Sequence, residues 1–165
     1  MPINIDFNYN FTNSIVINDG LVTANPAIHQ ASRLYVIHNP ATNRPVYVGT
    51  SANLRDRFIL RLEIIREMGF SQVELNNIIV MEVQIQIDGV NRTPGEDGVA
   101  GGIDVEHLLI RTYIQNIGLN VRNIQKTAVF NNNTGEQINW TLNNNADIEG
   151  FGGPYNYNLA NENSL

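Results

Sequence analysis

Two short apolar stretches, each carrying a tyrosine, limit what this chain can become. Leu34-Tyr35-Val36-Ile37 runs into Asn39-Pro40, where a proline can neither extend a ladder nor leave the residue before it helical. Turn-type residues 39–44 lead to Val46-Tyr47-Val48, so the pair reads as a β-hairpin. Gly49 breaks the second strand. Ser51 then serves as N-cap for a helix over 52–68, in which Leu54, Phe58, Leu62, Ile65 and Met68 recur at helical spacing until Gly69.

The flanks supply more strand. Residues 3–11 alternate, Ile3, Ile5, Phe7, Tyr9 and Phe11 against Asn4, Asp6, Asn8 and Asn10, the pattern of a strand buried on one face. Ser14 to Asn18 is a second β run, Asn18-Asp19-Gly20 a turn and Leu21-Val22-Thr23 a third run. Ile78 to Ile87, apolar and then alternating, is the third strand of a central sheet. Residues 88–102 hold five glycines and a proline but neither GxxxxGK nor GxGxxG, and read as a flexible insertion. Asp104 caps a helix over 104–117, apolar on more than one side. Thr127–Phe130 and Gln137–Leu142 flank turn-rich 131–136 as a second hairpin with Trp140 packed beneath, and the tail from Asn143 reads as irregular.

The central stretch resembles the GIY-YIG nuclease superfamily. Leu34-Tyr35-Val36 stands at the first motif and Tyr47-Val48-Gly49 at the second. Arg57, ten residues past Tyr47, stands at the catalytic arginine, Glu106 at the glutamate of a later helix, and Asn120, fourteen residues on, at the asparagine. The ordered set spans about residues 33–122. Arg33 replaces the usual glycine of the first motif, and Arg61 stands where many members have a histidine. The resemblance implies a small, mainly antiparallel three-stranded sheet flanked by helices, an α+β arrangement, extended here by strands from both termini. It implies an endonuclease in which Glu106 holds one Mg²⁺ or Mn²⁺ ion, Arg57 stabilises phosphate charge, Tyr35 or Tyr47 orients the attacking water, and Asn120 supports the site. Arg55, Arg61, Gly49 and Ser51 are the implied substrate neighbours. Read singly, each tyrosine is a core aromatic and Glu106 a solvated helix-start carboxylate.

A length of 165 residues suits one domain, with a β-rich extension at 1–32, the core at 33–122 and a tail at 123–165. The absence of cysteine excludes disulfides and thiolate metal sites. The expectation is a soluble, cytoplasmic protein with no membrane partner, since no leader or long apolar run is visible. The net charge of −6 opposes general affinity for polyphosphate, yet all ten basic residues lie between Arg33 and Lys126 and nine are arginine, which leaves room for a local phosphate site. DNA is favoured over RNA as the partner. Two other classes stay open: a nuclease toxin or delivered effector with an immunity or carrier protein, and a binding module that has lost catalysis.

Overall fold

The alternation at the N-terminus becomes the middle of the sheet. In strand β1, Ile3–Asn10, the residues Ile5, Phe7 and Tyr9 are buried while Asn4 is exposed and Asp6 and Asn8 are half-buried. The computed structural model describes residues 1–10, 15–18, 21–24, 34–39, 44–51, 71, 79–116, 126, 130–143 and 155–157. The predicted helix over 52–68 lies outside them. What is described is mixed α/β, mostly strand, with one short α-helix among the described residues.

The remaining strands are β2 (Ile15–Asn18), β3 (Leu21–Ala24), β4 (Leu34–Asn39), β5 (Arg44–Thr50), β6 (Ile79–Ile87), β7 (Val90–Arg92), β8 (Val99–Ala100), β9 (Ile103–Asp104), β10 (Ile138–Asn143) and β11 (Tyr155–Tyr157). The main sheet runs β11-β10-β1-β6-β4-β5, with β7 also on β6. The hairpin β4–β5 forms as the sequence predicts, and β6 joins β4 antiparallel. The expected extension by strands from both ends is present, but the frame is one continuous, mostly β sheet with one short helix among the described residues, not three strands flanked by helices. β1 bonds on both edges, antiparallel to β6 and parallel to β10, so strands from both ends of the chain continue the central three. β2 and β3 pair in a small sheet of their own.

Three local readings also change. Residues 88–102 are not structureless: Asp88-Gly89 and Gly101-Gly102 all have positive φ and close two tight hairpins, β6–β7 and β8–β9. Over Ile138–Trp140 both edges of β10 are occupied, by β1 and β11, so the hairpin expected across 131–136 has no free edge there. Tyr155–Tyr157, in the tail read as irregular, is the strand on the outer edge of β10.

Asp104 caps helix α1, Val105–Arg111, by accepting the His107 N–H at 3.0 Å. The helix passes into a π turn over Thr112–Asn116. Thr112 explains how that turn is held: its hydroxyl donates to the Leu108 carbonyl at 2.7 Å and accepts from the Trp140 indole at 3.0 Å. The Tyr113 hydroxyl bonds that of Tyr9. Leu108, Leu109, Phe7, Trp140, Val36 and Val48 share one buried cluster, so α1 covers one face of the sheet from β10 to β5.

Candidate functional site

Strand parity decides which side chains can meet. Tyr35 aligns with Gly49 and Ile37 with Tyr47, which puts both tyrosines on one face of β4–β5. Their ring centroids are 6.2 Å apart and the planes tilt by 38°. Tyr35 is buried and Tyr47 half-buried. The Tyr35 ring lies over the backbone of Gly49, where a Cβ would fall 2.5 Å from its Cζ and Oη. Gly49 does not break the strand, as its sequence position suggests, since β5 runs on to Thr50; it admits the neighbouring ring instead.

Val36 and Val48 alternate to the other face and join the core beneath α1. The tyrosines thus leave β4–β5 on the face away from α1, and Glu106, on α1, belongs to the opposite side. The described residues therefore do not bring the tyrosines and Glu106 to one face; β5, which lies between them, is the terminal strand of the sheet among those residues. Thr50 fixes that end of β5 by donating to the Glu96 carbonyl at 2.9 Å. Ser51 follows, half-buried.

Glu106 sits in the first turn of α1 with its side chain 13% exposed. Its N–H donates to the Gly98 carbonyl at 3.3 Å, which ties the helix start to the hairpin loop. The Lys126 ammonium lies 3.8 Å from Glu106 Oε1 and 3.1 Å from Asp104 Oδ1, and also donates to the Asp97 carbonyl. Lys126 holds a left-handed backbone, φ 59°, a conformation that costs a non-glycine residue roughly 1 kcal/mol or more. Its grip on three oxygens offsets that cost. Two carboxylates and a carbonyl converging on one ammonium are also the donors a hard cation selects, so the set fits Mg²⁺ or Mn²⁺ in place of the ammonium. Among the described residues no group of three or more His, Asp or Glu side chains gathers.

Arg55, Arg57, Arg61 and Asn120 lie outside the described residues. Two residues that the sequence reading passed over belong beside the predicted ones. Lys126 is the first. Glu82 is the second: it aligns with Tyr35 across β4–β6, on the tyrosine face, and is only 5% exposed. Its signal was a single charge inside the apolar run Ile78-Ile79-Val80-Met81-Glu82-Val83. A buried carboxylate at such a position requires compensation by its surroundings.

His38, fully buried near the end of β4, is held neutral, because burial pushes its imidazole down to about 3. No helix among the described residues is long and apolar enough to cross a membrane. The chain matches no family model, no curated protein and no solved structure.

Proposed function

We propose that the chain is a metal-dependent endonuclease that cleaves phosphodiester bonds, in DNA before RNA, around the β5 edge of the sheet. The observation that carries this reading is the tyrosine pair, two rings 6.2 Å apart on adjacent strands with a glycine backbone beneath one of them. Cleavage requires an oriented water, a means of neutralising charge on the phosphate, and protonation of the leaving oxygen. Tyr47, the less buried ring, orients the water. Arg57 and Asn120 enter from the sequence resemblance alone, as phosphate stabiliser and support. Glu106, with Asp104 and the Asp97 carbonyl, would hold the cation. A bound Mg²⁺ or Mn²⁺ supplies Lewis-acid stabilisation of the phosphate and the leaving oxygen.

Purified protein is incubated with supercoiled plasmid and with RNA, with Mg²⁺, with Mn²⁺ or with chelator. Cation-dependent cleavage is expected, falling by orders of magnitude in Glu106→Gln and in Arg57→Ala at unchanged melting temperature. Absence of cleavage under every condition overturns the reading, and undiminished cleavage by Glu106→Gln removes Glu106 from it. One observation favours a second reading, a non-catalytic binding module: Lys126 already compensates Glu106 without a metal. Nucleic-acid binding with no cleavage, unaltered in Lys126→Met, selects that module.

A further inference from the structure

A cavity of about 330 Å³ opens between the β8–β9 hairpin, the first turn of α1 and the loop at 130–134. Its volume lies within the range of small-molecule sites, roughly 300–1,000 Å³. Val99, Ile103 and Ile138 line it with aliphatic surface. Phe130 and His107 add two rings, 5.4 Å apart and near perpendicular at 83°. Asn131, Asn133 and Thr134 bring carboxamides and a hydroxyl to the same space.

The loop that carries these polar groups is built rather than slack. Asn132, 4% exposed, spends its side chain inside the loop: Oδ1 accepts the Thr134 N–H at 3.1 Å and the Thr134 hydroxyl at 2.6 Å, and Nδ2 donates to the Glu136 carbonyl at 2.6 Å. Just past the loop, the Ile3 N–H bonds the Gln137 carbonyl at 2.8 Å. Asn131 and Asn133 flank a fixed residue, and a ligand would find them with little left to order.

Charge and shape narrow the ligand. Among the described residues no lysine or arginine lines the cavity, and the one carboxylate that does, Asp104, already caps His107 and holds Lys126, so nothing described there favours an anionic group. Aliphatic walls penalise any hydroxyl turned toward them, because it would lose water without a partner, and a sugar carries more hydroxyls than the few polar groups here can pair. A planar heteroaromatic ring has apolar faces and confines its donors and acceptors to the edge, where carboxamides can pair with it. We propose that this cavity binds an uncharged nucleobase, free as a nucleoside or extruded from a strand. The site does not depend on the phosphodiester reading, although Asp104, which lines the cavity, is also among the oxygens proposed to hold the cation.

The full chain is titrated with adenosine, guanosine, cytidine and uridine, and separately with glucose and N-acetylglucosamine, while the Phe130 and His107 resonances are followed. At least one nucleoside is expected to saturate with a Kd below about 1 mM. Val99→Trp, which fills the cavity, should weaken that binding at least tenfold without altering melting. Should that variant fail to fold, Asn133→Ala, at an exposed position, should still weaken binding several-fold. Saturation by none of the nucleosides, by a sugar in their place, or by a nucleoside with equal strength in wild type and variants overturns the proposal.

Discussion

The two halves of the main sheet treat water differently. Along β1 and β10 one face is core, with Phe7, Ile138 and Trp140 at 1% exposure or less, and the other is an open array of amides. On that open face Asn139 donates to Asn4 at 3.2 Å and Asn143 to Asn8 at 2.9 Å. Along β4 both faces are shut: Leu34 and Val36 are buried on one, Tyr35 and Ile37 on the other. Polar groups in the first half are bathed in water and bonded to their own kind. Those in the second, Tyr35, Glu82 and His38, sit where solvent is excluded and their chemistry can be shifted, which is where functional groups collect.

The difference is broken most strongly from the core side of the first half. Phe7→Ala removes a fully buried ring and should cost about 3–5 kcal/mol, measured by denaturant unfolding. A loss under about 1 kcal/mol would mean that the α1 face of the sheet is not the main core.

His38 sharpens the second half. Its native pKa, about 3, lies below the ordinary 6.5, so the unfolded chain binds the extra proton between those values. Stability from this group is complete above about pH 6.5 and is lost as pH falls toward 3. The slope of one proton is about 1.4 kcal/mol per pH unit, which makes the loss about 3 kcal/mol by pH 4. Subtracting the curve of His38→Gln from that of wild type isolates the term. A flat difference between pH 6 and 4 would show that water reaches His38.

Gly49→Ala is a smaller test of the same half. The new methyl must displace the Tyr35 ring, at about 1–3 kcal/mol, and Tyr35→Ala in the same chain should relieve most of the strain. Additive costs in that double-mutant cycle would separate the ring from the glycine.

Legibility followed the same division. In β1 the alternation names the buried residues outright, since a strand with one wet face must repeat every second residue. Asp104 as a cap was equally plain, because capping is local. In β4 the run Leu34-Tyr35-Val36-Ile37 has no alternation, so the face of each tyrosine, and the place of Glu82 beside Tyr35, follow only from a register with β5 and β6. Lys126 joins Asp104 and Glu106 from far along the chain, and the parallel β1–β10 pairing links residues 135 apart, distances at which local pattern carries no information. The Asp-Gly and Gly-Gly turns were in the sequence, but five glycines within 88–102 masked two hairpins as one loose loop.

The smallest expected effect lies on the open amide face, and it tests whether that array stabilises anything. Asn143 is exposed and donates to Asn8 at 2.9 Å and to Asp6 at 3.2 Å, so Asn143→Ala deletes two bonds at once. Water stands ready to replace both, and a bond that solvent can replace contributes far less than one whose loss leaves a buried group unsatisfied. The change in unfolding free energy should therefore stay within about 0.5 kcal/mol, against the several expected for Phe7→Ala on the same strand pair. A cost above about 1.5 kcal/mol would mean that the array is shielded from solvent, and the two halves of the sheet would then be alike.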